Sequence, residues 1–111
     1  MTPKERMQKL GVLSQLVRDH DMAQLQKLAT LYDHTRKKLA QLPLGAARGD
    51  DPALFAAHQA HLLWAAKQKM QLNLVLARQR AALLEQRKKT MRSFGRAEAV
   101  AQLQMRDSKT P

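Results

Sequence analysis

Apolar residues in the first part of the chain recur at intervals of three and four, the spacing of one helix face. The apolar row is interrupted once, between Val17 and Leu25, where the polar residues His20 and Asp21 lie. A polar pair inside a seam either fixes the register or marks a solvated patch, and we favour the patch. The pattern predicts helix 1 over residues 4–42. Its predicted seam is Leu10, Leu13, Val17, Leu25, Leu28, Tyr32, Thr35, Leu39 and Leu42.

The second half of the chain carries two apolar stripes, whose centres lie roughly 130° apart on a helical wheel. One seam on helix 1 cannot cover both stripes, so we expect the second stripe to meet another molecule. The alternative is a single wide apolar face, which is ordinary for a globular helix. The first stripe is Leu62, Ala65, Leu72, Leu76, Leu83 and Phe94. The second is Leu63, Ala66, Met70, Ala77, Ala81, Leu84 and Met91.

Proline and glycine cluster in the segment QLPLGAARGDDP, which predicts a loop over residues 43–51. Asp50 or Asp51 can cap a second helix, over residues 52–107, with Pro52 in its first turn. Gly95 predicts either a kink or the end of that helix, with a short third helix over 97–106 as the alternative. No strand alternation is present. The fold class is therefore all-α: a single domain, 1–111, forming an antiparallel two-helix coiled-coil hairpin whose second helix is longer.

The chain is strongly basic, with 20 Lys and Arg against nine Asp and Glu and a net charge of +11. Residues 52–111 hold eleven of the bases and three of the acids. Such a balance attracts nucleic acid, anionic lipid or acidic proteins, although a solvated helix face explains it equally well. No apolar run reaches the roughly 20 residues of a membrane span, and no signal-peptide core is present. We expect a cytoplasmic protein, with peripheral association at the inner face of the cell membrane as a further location.

Residues that could carry chemistry are few. His58 and His61 are spaced to share a metal ion, but no third and fourth ligands accompany them, so we predict no metal site. The absence of cysteine excludes disulfides and Cys-based zinc sites. No phosphate-binding loop, nucleophile motif or carboxylate pair suited to acid–base work is found. The sequence predicts a protein that is not an enzyme and needs no cofactor.

Candidate residues for partner binding follow from the second stripe and from the basic run RKKTMRSFGR at 87–96. Trp64 is the single tryptophan, and it either anchors an interface or closes the loop end of the hairpin against helix 1. The methionines suit adaptable apolar contact. The predicted partner-binding residues are Trp64, Met70, Leu84, Arg87, Lys88, Lys89, Met91, Arg92, Phe94 and Arg96.

Two motifs in helix 2, W-x5-M-x-L-N-x2-L-A and K-x-M-x-S-F-G-R-x-E-A, resemble those of the FliJ-type flagellar export proteins. The chain is also similar to their type III secretion stalk counterparts, most firmly over residues 64–100. The first motif comprises Trp64, Met70, Leu72, Asn73, Leu76 and Ala77. The second comprises Lys89, Met91, Ser93, Phe94, Gly95, Arg96, Glu98 and Ala99.

The resemblance implies a coiled-coil hairpin similar to the central stalk of rotary ATPases. Such a stalk inserts into the pore of the hexameric export ATPase, contacts the export gate and escorts substrate chaperones. The prediction is therefore a non-enzymatic adaptor or stalk of a bacterial flagellar (type III) protein export apparatus. Two alternatives remain open: a small basic nucleic-acid-binding protein, and a self-assembling bundle in which two hairpins bury the second stripe against each other.

Overall fold

The computed structural model describes residues 2–43 and 51–109, which form two helices. Helix α1 is Pro3–Ala40 and helix α2 is Pro52–Lys109, so the second is longer, as predicted. They pair as an antiparallel hairpin, which confirms the all-α fold class. The predicted bounds of both helices agree with the structure to within about two residues. Most of the predicted loop, residues 44–50, lies outside the described residues.

Both helices begin at a capping residue followed by proline. Thr2 and Glu5 form a capping box, in which the Glu5 amide donates to Thr2 Oγ1 (3.2 Å) and the Thr2 amide donates to Glu5 Oε2 (3.3 Å). The sequence interpretation had not recognised this box. At α2, the Ala53 amide donates to Asp51 Oδ1 (3.0 Å), which confirms Asp51 as the cap.

Helix α2 continues through Gly95 without a break, so the alternative of a third helix over 97–106 is wrong. One glycine inside a helix costs about 1 kcal/mol relative to alanine. The residues that follow are good helix formers, and Ala97 is buried while Val100 is half-buried. Their propensity and burial outweigh the cost of the glycine.

The chain divides into two compact units, and each has its own seam between α1 and α2. The loop-end unit comprises residues 30–81, and its seam is mostly leucine, as predicted. Thr35 is buried, and its hydroxyl donates to the Leu31 carbonyl oxygen (3.1 Å). The half-buried and buried seam positions are Tyr32, Thr35, Leu39, Leu42, Leu62, Ala65, Gln68, Leu72, Leu76 and Gln79.

In the terminal unit, residues 1–29 and 82–111, polar residues occupy about half of the seam positions. Leu10, Leu13 and Val17 are 46, 58 and 47% exposed, so the prediction that they form the seam is wrong. Each precedes a seam residue by one position, and one residue is a rotation of about 100° around a helix. The α1 seam positions are Met7, Gly11, Ser14, Arg18, Asp21, Leu25 and Leu28. The α2 positions are Leu83, Gln86, Thr90, Ser93, Ala97, Val100 and Gln104.

Two further expectations for the terminal unit are also wrong. Asp21 is only 5% exposed, so the polar pair does not mark a solvated patch. Phe94, predicted in the first stripe, is an exposed residue that follows the buried Ser93. Both errors have the same cause as the wrong placement of Leu10, Leu13 and Val17. The seam follows an unbroken seven-residue repeat, which differs from the most apolar row of the helix.

Candidate partner-binding surface

Hydrogen bonds between the helices hold the polar seam of the terminal unit together. The Ser93 hydroxyl donates to the Asp21 carboxylate, and both residues are buried. The Gln86 side-chain amide donates to the Asp21 carbonyl oxygen (3.0 Å), and the Thr90 hydroxyl lies 3.2 Å from the same oxygen. Buried polar groups are costly unless they are paired, so these bonds favour one register over its neighbours.

A second cross-helix bond lies nearer the chain termini. The Gln104 side-chain amide donates to the Met7 carbonyl oxygen (3.0 Å). This amide lies directly over Gly11, where a Cβ atom would overlap it. Glycine therefore leaves room for the Gln104 side-chain amide at this seam position.

Because polar residues occupy the seam, apolar side chains of the terminal unit lie on its outside. On one flank they form a groove of about 400 Å³, which we call the leucine groove. Apolar side chains from both helices line most of it, and Arg96 lies at its edge. The lining residues are Leu10, Leu13, Ser14, Val17, Ser93, Arg96, Ala99 and Val100.

The other flank of the terminal unit carries three predicted partner-binding residues. Arg87, Met91 and Phe94 line a shallow pocket together with Leu25 and Thr90. The guanidinium of Arg18 lies over the Phe94 ring, 5.5 Å from its centroid, so one face of this ring is occupied by a cation.

The five predicted basic residues, Arg87, Lys88, Lys89, Arg92 and Arg96, are all exposed. They do not form one row. Arg87 lies in the pocket beside Phe94, whereas Lys89, Arg92 and Arg96 follow at spacings of three and four, with Arg96 at the leucine groove. Two of them interact locally: Lys88 Nζ lies 3.6 Å from Glu85 Oε1 and Arg92 Nε donates to the Lys88 carbonyl oxygen (3.4 Å). The positive charge therefore faces solvent on both flanks of the seam.

Trp64 and Met70 belong to the loop-end unit, whereas the other predicted partner-binding residues belong to the terminal unit. Trp64 is exposed and stacks on His61 of the same helix, with ring centroids 5.6 Å apart. Met70 is 73% exposed. Within residues 2–43 and 51–109, no group of three or more potential ligands could hold a metal ion, and Asp50 lies outside that range.

Sequence reasoning missed the leucine groove because it placed Leu10, Leu13 and Val17 in the seam. The signal was the step from Val17 to Leu25, which is eight residues where a heptad seam requires seven. That extra residue shows that the apolar row leaves the seam at His20 and Asp21.

Neither of the two described helices has an apolar stretch that could cross a bilayer. No family model matches the chain, and it has no significant match among curated proteins or solved structures. The fold and surface define an all-α coiled-coil hairpin that exposes apolar residues beside many basic ones.

Proposed function

We propose that this chain is a non-enzymatic coiled-coil adaptor or stalk of a bacterial flagellar (type III) export apparatus, working in the cytoplasm or at the inner face of the membrane. The observation that carries the proposal is a second seven-residue repeat of apolar residues on α2, the outer row, which each unit leaves exposed in its own part of the helix. Leu63, Met70, Leu84 and Met91 are 60, 73, 46 and 75% exposed, and Ala77 completes the spacing. Because α1 does not cover this heptad row of α2, the row is available to pack against a helix of another protein.

The chemistry of this outer row favours protein partners. Two of its members are methionines, whose flexible side chains adapt to different surfaces. The neighbouring basic residues attract acidic partners and accelerate encounter with them. The resemblance of residues 64–100 to the FliJ type supplies the identity of these partners: the export ATPase hexamer, the export gate and substrate chaperones.

The test is capture of the purified export ATPase by a variant in which Arg87, Lys88, Lys89, Arg92 and Arg96 are all replaced by glutamate. We expect helicity to be retained, because all five side chains are exposed, and capture to fall about tenfold or more. A matched control replaces five other exposed bases and has the same net charge. The control positions are Lys4, Lys9, Lys38, Lys67 and Arg78.

Equal capture by the wild-type chain and the first variant would contradict the proposal, as would equal loss in the control variant. The nucleic-acid alternative predicts retardation of a DNA duplex at low salt, with affinity falling steeply as salt rises. The exposed aromatic ring inside the basic run, Phe94, already has Arg18 over one face, which leaves less of it for base stacking. Duplex binding by the wild-type chain that survives physiological salt would favour this alternative.

A further inference from the structure

We propose that the leucine groove of the terminal unit binds an acidic amphipathic helix from a protein partner. This inference assigns a second surface, separate from the outer row of α2, and the chemistry of its occupant. It rests on the proposed function only in treating the chain as a protein-binding adaptor.

The floor of the groove is apolar. Leu10, Leu13 and Val17 of α1 are spaced by three and four residues and face Ala99 and Val100 of α2. The three α1 side chains are each about half exposed because the seam beside them is occupied by Gly11, Ser14 and Arg18. An apolar row flanking an already packed seam is the surface on which an amphipathic helix lays its own apolar face.

The charged residue that lines the rim of the groove is Arg96, and the neighbouring rows are mostly basic, with Glu85 the acid that precedes Lys89 in the α2 row. Along α2, the helical row through Arg96 contains Lys89 and Arg92 on one side, and Ala99 and Leu103 on the other. The α1 row through Leu13 contains no acid between Pro3 and Lys27. Its members are Pro3, Arg6, Leu10, Leu13, Val17, His20, Gln24 and Lys27. A partner with carboxylates on both sides of its apolar face complements this rim.

Charge and length decide between the candidate occupants. A second copy of the chain brings the same positive rim, and like charges placed together oppose association. The phosphates of a nucleic acid could pair with the basic residues of the rim, but a nucleic acid presents little apolar surface to contact the leucine side chains. The α1 row from Arg6 to His20 is about 21 Å long, which matches a helix of about four turns.

The probe is a fluorescein-labelled helical peptide of about 16 residues, with leucine at every third and fourth position and glutamate on both flanks. Its control has lysine in place of glutamate. By fluorescence anisotropy we expect the acidic peptide to bind the full chain, and the lysine peptide to bind about tenfold more weakly or not at all. In the Arg96→Glu variant, the ratio of the affinity for the acidic peptide to that for the lysine peptide should fall about fivefold.

The matched pair of protein variants is Leu13→Gln and Leu16→Gln. The two leucines are each 58% exposed, but only Leu13 lines the groove. We expect Leu13→Gln to weaken binding of the acidic peptide about fivefold or more, and Leu16→Gln to change it by less than about twofold. Thermal melts followed by circular dichroism establish that both variants fold equally well.

Three results would overturn the inference: equal affinity of the two peptides, equal effects of the two leucine variants, or a wild-type dimer in sedimentation that Leu13→Gln dissociates. The last would make a second copy the occupant. Arg96 is changed in both tests, but neither leucine belongs to the surface tested with the export ATPase, so the leucine pair lets the two proposals fail separately. If the five-base variant loses ATPase capture but the wild-type chain does not bind the acidic peptide, only the groove proposal is refuted. If the wild-type chain binds the peptide but the five-base variant captures the ATPase as well as wild type, only the export function is refuted.

Discussion

The two units differ in the side chains that α1 places in the seam. In the loop-end unit, α1 contributes Tyr32, Thr35 and Leu39, and its described part exposes one large apolar residue, Leu31. In the terminal unit, α1 contributes Met7, Leu25 and Leu28, but also a glycine, a serine, an arginine and an aspartate. There the exposed large apolar residues of α1 are Leu10, Val12, Leu13, Leu16, Val17 and Met22. Along a paired helix, the register decides which residues are buried, and hydrophobicity alone does not.

The difference separates two ways of holding helices together. Apolar burial in the loop-end unit is non-directional and scales with the area removed from water. The hydrogen bonds to Asp21 in the terminal unit are directional, and they fix the pairing of α1 with α2 while leaving apolar surface outside. A hairpin that must pack with itself and also bind partners can divide the two tasks in this way.

The largest expected effect comes from the largest buried apolar side chain of the described residues, Leu83, which is 6% exposed. Leu83→Ala should lower the free energy of unfolding by about 2–3 kcal/mol, because it leaves a cavity at the seam. Its neighbour Leu84 is exposed, so Leu84→Ala should cost less than about 1 kcal/mol. Urea unfolding followed by ellipticity at 222 nm measures both. If the two variants lose equal free energy of unfolding, burial of the Leu83 side chain contributes little to the stability of the terminal unit.

Removal of a polar seam contact should have the next largest effect. Ser93→Ala leaves the buried Asp21 carboxylate without its hydroxyl donor, and should lower the free energy of unfolding by about 1–3 kcal/mol. The control is Ser108→Ala, whose exposed hydroxyl donates to the Met105 carbonyl oxygen of the same helix. If both variants melt at the same temperature, the polar seam does not stabilise the terminal unit.

A stabilising change is expected in the loop-end unit. Gln79 Oε1 is buried, and no donor among the described residues reaches it. Gln79→Leu should raise the free energy of unfolding by about 1 kcal/mol, because it removes an unsatisfied polar atom from a leucine seam. Gln71→Leu, at an exposed position, should change it little. A loss of stability in Gln79→Leu would show that this seam also depends on polar contacts.

The smallest effect distinguishes the two described glycines of the terminal unit. Gly95→Ala should raise the unfolding free energy by about 0.5–1 kcal/mol, since its Cβ would meet empty space and alanine is the better helix former. Gly11→Ala should gain less or lose stability, because it displaces the Gln104 amide from the Met7 carbonyl oxygen. A larger gain at Gly11 than at Gly95 would contradict the close approach of the Gln104 amide to Gly11.

Much of the candidate surface could be predicted from the sequence of α2. The second stripe lies outside the seam as expected, because α1 packs through a single seam and can cover only one stripe. The leucine groove could not be predicted in the same way. Its residues were assigned to the seam because they are the most apolar row in their part of the chain.

Local chemistry in the sequence determined the two helices and the break between them, and it limited the cap of α2 to Asp50 or Asp51, because these features depend on neighbouring residues. Only the tertiary structure decided which face of α1 is buried near the termini. The buried bonds of Ser93 and Gln86 to Asp21 join residues far apart in the sequence, and no local pattern records such a pairing. The exposed leucines follow from that choice, since a helix that turns its polar row inward must turn its apolar row outward.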